Sequence, residues 1–177
     1  CEQFQSQENR SLRALLTGGD KLQSVKSDSY TLYNNYGPTE NTVVTTSCAV
    51  KYTDTRIPIG KPIDNNHVFI IGKNSTHLQP VGVAGELIVT GNSLARGYLN
   101  NPELTNERFF TFGDQEPFYK KVPGLPKIFD NNEYSIKSFK GVQGGVFQKA
   151  PLLYKTGDLV RWVSNPIDSG QYVIEFL

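Results

Sequence analysis

The second half of the chain is built from short β-prone runs at regular intervals, and this limits the fold more than any other feature. "RIPIGKPI", "HVFIIG", "GELIVTG", "LLYKTGDLVRWV" and "GQYVIEFL" are separated by Gly, Pro and Asn. Short strands with turn signals at such spacing suggest a sandwich or a barrel. Ahead of Lys51 the texture differs. "SLRALLTGGD" reads as a buried strand entering a tight Gly-Gly turn, and "YTLYNNYG" as a second strand ended by Gly-Pro. "KLQSVKS" between them has room for one or two helical turns, and strand, crossover, strand predicts parallel pairing. "NTVVTTSCAVKY", residues 41–52, is β-branched and is expected to be extended. The one clear helix signal is "NPELTNERFF": Asn101 can cap it, Pro102 suits its first position and Glu103 its positive end. The expected organisation is α/β plus β: residues 1–50 as the end of an α/β sheet, and 51–177 as a β-rich, barrel-like lobe.

Composition narrows the function. Hydrophobic residues make up 37% of 177 and charged residues 20%, enough for a packed core. A net charge of +1 leaves no basic excess for nucleic acid. No apolar run approaches the roughly 20 residues of a membrane span, and no signal peptide opens the chain. Cys1 and Cys48 lack metal-site spacing and read as free thiols, which suits a reducing, cytoplasmic setting. There is no Met, the first residues are polar, and "QYVIEFL" ends on a strand pattern. The chain is therefore expected to be a piece of a larger protein.

Thr111 to Ala150 has its own texture. Phe112, Phe118, Tyr119, Phe129, Tyr134, Phe139 and Phe147 stand among Lys, Gly and Pro without helical or alternating period. Asp114, Glu116, Asp130 and Glu133 dilute its basic charge, which argues against stacking on nucleic acid. It reads as a long insertion, either a self-packed surface elaboration or a docking surface for a neighbouring domain or a small helper protein.

Three segments look chemical. In "YNNYGPTENTVV", Pro38 fixes φ, Gly37 permits close backbone approach and Tyr36 offers a flat face to a planar ligand. Thr39 offers a hydroxyl, and Glu40 a hard oxygen of the kind Mg²⁺ prefers. Read plainly, the stretch is a polar turn after a strand. "GELIVTGNSLARGYLN" interleaves glycines with a strand; it lacks the Gly-Lys-Ser/Thr ending of a phosphate loop and reads as a hairpin with a bulge. In "YKTGDLVRW", Thr-Gly-Asp reads as a turn holding Asp158 at its tip, where a carboxylate can accept ribose hydroxyls or simply cap the turn.

In their order, "LRALLTGGDKL", "NNYGPTENT", "IPIGKPIDN", "GELIVTGNSLARGYLNNPELTNERF" and "YKTGDLVRW" resemble the adenylation domains of nonribosomal peptide synthetases, within the wider adenylate-forming (AMP-binding) family. The resemblance covers Leu12 to Leu177 apart from the insertion. It implies the last strands of an α/β subdomain followed by a distorted β-barrel subdomain. It also implies an enzyme that joins an amino acid to ATP, with Mg²⁺, and passes the acyl group to phosphopantetheine on a carrier protein. By the same resemblance, Thr39 and Glu40 are catalytic and Glu40 holds the metal. Gly18, Gly19, Asp20, Asn35, Tyr36, Gly37 and Asp158 bind the nucleotide. Leu15, Thr17, Asn35, Val43 and Val44 line the amino-acid pocket. That set carries no charge, which favours an aliphatic substrate and, among these, leucine; Thr17 stands where Gly is expected and narrows the pocket. The implied partners are the rest of the adenylation domain and the carrier-protein and condensation domains.

The family's glycine-rich phosphate loop, the aspartate for the substrate amine and the lobe with the catalytic lysine do not occur here, so the chain alone is expected to be inactive. Forty-three residues separate Phe110 from Tyr154, more than the family's usual link. Two other readings stay open: a piece of an acyl-CoA or other carboxylic-acid ligase, and a non-catalytic interaction module. Tyr36, Glu40 and Asp158 together argue against the last.

Overall fold

The structure, a computed structural model, describes residues 11–25, 29–73, 75, 77–111, 152–165, 168 and 170–177. Two sheets account for the strands. The first has the order β1-β2-β3-β4, with β1 at Ala14–Gly18, β2 at Thr31–Tyr36, β3 at Thr46–Val50 and β4 at Lys61–Pro62. As the sequence predicts, β1 and β2 are parallel, from Ala14 opposite Thr31 to Gly18 opposite Asn35. The pairs β2–β3 and β3–β4 are antiparallel. β4 lies beyond Lys51, so this sheet draws a strand from the sequence expected to belong to the second lobe.

The second sheet is antiparallel: β5 (Asn66–Ile71), β6 (Gly85–Gly91), β7 (Phe109–Thr111), β8 (Leu152–Ser164) and β9 (Tyr172–Phe176). β8 is its axis. Tyr154 pairs with both Val89 and Phe109, and Val160 with both Gly85 and Phe176. β6 therefore runs along one edge of β8, while β7 and β9 share the other edge at opposite ends. Among the described residues no helix is long and apolar enough to cross a membrane.

Alternation explains the core. Val68 and Ile70 of β5, Leu87 and Val89 of β6, Val160 and Trp162 of β8 and Ile174 of β9 point to one side and form the main cluster with Ile59. The first sheet buries Tyr30, Leu32, Val25 and Val50, with Leu12, Leu15 and Leu22 packed against them. Backbone bonds join the two sheets: Ile59 N–H donates to Ile174 O at 2.8 Å, and Ile174 N–H to Gly60 O at 2.9 Å.

The helix is where its capping signals put it. α1 spans Pro102–Arg108, and the Asn101 side chain accepts from Leu104 N–H at 3.0 Å. Four local expectations need correction. Lys21–Val25 is not helical; a helix so short is costly to nucleate, and Leu22 and Val25 pack directly into the core. Residues 41–52 are not extended throughout. Thr39–Asn41 form a 3-10 turn, Thr42 and Val43 have φ of 51° and 72°, and the strand starts at Thr46. Thr156-Gly157-Asp158 is no terminal turn but an irregularity inside the 13-residue β8, where the register against β6 shifts between Glu86 and Ile88. The hairpin partner of β6 is β5, which precedes it, rather than the residues that follow. The insertion expected after Phe110 lies outside the described residues, save Thr111 at the end of β7; Cys1 lies outside them too.

Candidate functional site

Because β1 and β2 are parallel, the turns that follow them leave the sheet at the same edge. Gly18 ends β1 and Gly19 and Asp20 follow it; Gly37 to Glu40 follow β2. In sheets with parallel strands, this carboxyl edge is where ligands are met. Two of the glycines serve the chain's own backbone. A Cβ on Gly18 would lie 2.5 Å from Asn35 O, and one on Gly37 would lie 2.5 Å from Val43 O. Gly19 instead has φ of +94° and open space around it. Asp20 is exposed and its Oδ1 accepts from Lys21 N–H at 2.7 Å.

Asp158 comes to this edge from the second sheet. In the β8 irregularity, Thr156 Oγ1 donates to Leu87 O at 2.8 Å and accepts from Asp158 N–H at 3.0 Å. Gly157, with φ of +83°, donates its N–H to Glu86 Oε1 at 3.2 Å. The irregularity lies between the β7 and β9 segments of the same β8 edge. The Asp158 carboxylate accepts the Tyr36 hydroxyl on Oδ2, across 122 positions of sequence. The Tyr36 ring packs tilted against Phe176, with centroids 6.2 Å apart. Burial, and then the Asp158 carboxylate, hold the Tyr36 phenol far above its ordinary range, so it stays a neutral donor.

Glu40 sits in the 3-10 turn behind Pro38. The neighbouring Asn41 side chain is fully buried, and its Nδ2 donates to Thr45 Oγ1 and to Asn66 Oδ1, each at 2.8 Å. Among the described residues, Asn41 Oδ1 accepts no hydrogen bond. The segment after β6 wraps the turn: Ala95 N–H donates to Glu40 O at 2.7 Å, and Thr42 Oγ1 to Ser93 O at 2.6 Å. The Tyr98 hydroxyl donates to Glu40 Oε1 at 2.5 Å and lies 3.4 Å from the Tyr154 hydroxyl. Burial alone would raise the Glu40 carboxyl. The Tyr98 hydroxyl, the turn's backbone and the Tyr154 hydroxyl outweigh it, and Arg108 adds a positive charge; the result lies below the usual carboxylate range. Glu40 is thus an anion held by donors on part of its surface.

Thr39 is exposed beside it. The register divides the other candidates. Leu15 and Thr17 pair with Leu32 and Asn34, which places them on the Tyr36 face of the sheet, and Leu15 packs into the core. Asn35 pairs with Gly18 and Ser47 on the opposite face, and its Oδ1 accepts from Ser47 Oγ at 2.7 Å. Val43 is 71% exposed and Val44 half-buried. The structure therefore brings together Tyr36 with Asp158 and Thr39 with Glu40. It does not bring Asn35 to the face of Leu15 and Thr17.

No three His, Cys, Asp or Glu side chains converge among the described residues. A lone carboxylate suits Mg²⁺ only when phosphates and waters complete its shell, which is how this ion is commonly held. Residue-by-residue reading missed Tyr98, Tyr154, Asn41 and Asn66. Both tyrosines stand in motifs that the sequence singles out, "ARGYLN" and "YKTGD", but no local pattern shows that the segment after β6 and the strand β8 bring them to one carboxylate.

The family model for AMP-binding enzymes matches residues 2–99. Over 168 residues, 95% of this chain, the sequence is 44% identical to surfactin synthase subunit 2 of Bacillus subtilis. It is 58% identical over 109 residues, 62% of the chain, to bacitracin synthase 1 of Bacillus licheniformis. The chain spans 4% and 2% of the length of these two relatives. Among solved structures, it is similar to holo-PA1221, an NRPS protein containing adenylation and PCP domains bound to a vinylsulfonamide inhibitor. The TM-score is 0.64 at 26% identity, over 93% of this chain and 24% of that one.

Proposed function

The chain belongs to the AMP-binding enzyme family, and from that premise we propose that it is part of an adenylation domain in a nonribosomal peptide synthetase. The whole protein activates an amino acid with ATP. A carboxylate oxygen of the amino acid attacks the α-phosphorus, the bond to the pyrophosphate oxygen breaks, and an aminoacyl adenylate forms. A phosphopantetheine thiol on a carrier protein then takes the acyl group and releases AMP. In this reading the first sheet ends an α/β subdomain, the second forms the β-barrel subdomain, and condensation and carrier domains are partners in a cytoplasmic assembly.

The observation that carries the proposal is the meeting of Tyr36, Asp158 and the Glu40 turn at the carboxyl edge of the parallel β1–β2 pair. Asp158 spends Oδ2 on Tyr36; among the described residues Oδ1 accepts no hydrogen bond and is available to ribose hydroxyls. That same bond fixes the Tyr36 ring, whose other face is offered to adenine. Gly18, Gly19 and Asp20 border the nucleotide at the adjacent turn, with Gly37 at the start of the Glu40 turn. Thr39 places its hydroxyl by the α-phosphate, and Glu40 holds Mg²⁺. When bound, this ion neutralises charge that builds on the phosphate oxygens.

The acid partner is an aliphatic amino acid, with leucine preferred. Leu15, Thr17, Asn35, Val43 and Val44 carry no charge, and an ionic substrate side chain left unpaired there would cost several kcal/mol on the order of a buried polar group. Asn35 lies on the sheet face opposite Leu15 and Thr17, and Leu15 packs into the core, so the reading rests on the absence of charge in the set rather than on a shared face. Pyrophosphate exchange by the full-length protein, run with each amino acid in turn, tests the reading. Exchange is expected with leucine and, about 10-fold or more weaker, with valine, the scale of one methylene. Exchange driven only by fatty or aryl acids would move the chain to the acyl-CoA ligases, and no exchange with any acid would support the interaction module.

A further inference from the structure

Glu40 is gripped by the segment 93–98, which has no part in the nucleotide and amino-acid contacts proposed above. The hydroxyl of Tyr98 has one proton, and its geometry gives that proton to Glu40 Oε1. The Tyr154 hydroxyl lies 3.4 Å from that of Tyr98 and also favours the Glu40 anion. The two phenols thus form a relay that reaches Glu40 through the Tyr98 bond to Oε1.

The relay is held rigidly. Phe109 lies between the two tyrosines, 5.6 Å from the Tyr98 ring in an edge-on contact and 4.9 Å from the Tyr154 ring. Tyr98 N–H donates to Thr105 Oγ1 at 2.9 Å, which ties its backbone to α1. The approach is close enough that a Cβ on Gly97 would lie 2.5 Å from Thr105 Cγ2. Upstream, the Ala95 and Ser93 contacts clamp the backbone of the Glu40 turn itself. A single exposed ion pair would leave a glutamate many rotamers; the Tyr98 bond and the clamped backbone restrict them.

We propose that Tyr98 is a positioning residue for the metal-bearing carboxylate: it occupies Oε1 of Glu40, backed by Tyr154, and so presents Oε2 to the cation. The inference rests on the assignment of Glu40 to Mg²⁺ and deepens it. It gives α1 and the segment 93–98 a role in the reaction without any contact to substrate. Partners of this kind, one step out from a metal ligand, typically change metal affinity 10- to 100-fold.

The test uses the full-length protein with ATP and Mn²⁺ as the probe, binding being read by electron paramagnetic resonance. Tyr98→Phe keeps the ring and its packing on Phe109 and removes only the donor. It is expected to weaken Mn²⁺ binding about 10-fold, and the double variant Tyr98→Phe/Glu40→Gln to bind no worse than Glu40→Gln alone. In pyrophosphate exchange, Tyr98→Phe should need about 10-fold more Mg²⁺ for half-maximal rate and recover near-normal rate at saturating Mg²⁺, a rescue that a folding defect would not show. Unchanged Mn²⁺ affinity in Tyr98→Phe, beside a weakened Glu40→Gln, overturns the inference and leaves the function standing. An equal loss from Tyr98→Phe in the Glu40→Gln background overturns it as well. Full Mn²⁺ affinity in Glu40→Gln removes the assignment of Glu40 itself, and the inference with it. Should Tyr98→Phe fail to fold, Tyr154→Phe is the second variant. Weaker Mn²⁺ binding that Mg²⁺ rescues supports the relay, and unchanged binding overturns it.

Discussion

The Tyr36–Asp158 bond shows how little of a site one residue carries alone. Each of the two was visible as a candidate, because Tyr36 offers a flat face beside a Gly-Pro turn and Asp158 a carboxylate after Thr-Gly. Their bond across two sheets was not visible, since it depends on where β8 runs. Asn41 makes the opposite point. It reads as one more polar turn residue, yet it is fully buried and fastens the Glu40 turn to Thr45 and to Asn66 of β5. Burial can be read from a pattern only when the residue type suggests it, and an Asn does not. Cys48 gives a prediction at this scale. Burial, reinforced by the charge of Asp54, pushes its thiol up to about 11. A thiol near the ordinary value of about 8.5 is far more ionised at pH 8. Iodoacetamide at pH 8 should therefore modify Cys48 about 100-fold more slowly than a free thiol, as read by peptide mass spectrometry. A rate equal to free cysteine would show that the site is open.

At the scale of elements, strands with strong periodicity and the capped helix were legible, and junctions were not. β6 and β9 fall within the runs read as strands, β5 starts one residue ahead of its run, and α1 begins at the Pro that its cap predicts. The errors share one cause: a side chain or a neighbouring strand overrides local preference. The β-branched run after Asn41 cannot extend while Asn41 is tied to Thr45 and Asn66, so Thr42 and Val43 take positive φ. Thr156-Gly157-Asp158 looks like a turn because Gly157 needs φ of +83°, a demand that a strand irregularity makes equally.

Gly60 is the element junction with the sharpest consequence. Its φ is +89°, a Cβ would lie 2.1 Å from Ser47 O, and its own backbone pairs with Ile174. Gly82 has a similar φ of +85° but open space. Gly82→Ala should cost about 1–2 kcal/mol, the strain of the conformation. Gly60→Ala should cost clearly more, above about 3 kcal/mol, as the strand contact is also forced apart. Urea denaturation followed by fluorescence of Trp162, the single tryptophan, measures both. Equal costs would mean that the junction yields freely.

At the scale of the molecule, the two sheets work as a frame for one edge. The first supplies Tyr36 and the Glu40 turn, the second supplies Asp158 and the tyrosine relay, and the Ile59–Gly60–Ile174 bonds fix one to the other. The order of motifs was enough to point to the family, because each marks a place where backbone and ligand chemistry meet. The pairing of faces was not, which is why Asn35 was grouped with residues across the sheet. The central claim is that this edge holds a nucleotide, with Asp158 on the ribose. Loss of hydrogen bonds to a charged acceptor is worth about 1.5–3 kcal/mol, or about 10- to 100-fold in affinity. The direct measurement is amino-acid-dependent pyrophosphate exchange by the full-length protein carrying Asp158→Ala. The account predicts a KM for ATP raised about 10- to 100-fold, with the KM for the amino acid changed less than about twofold. An ATP KM equal to that of the wild type would contradict it.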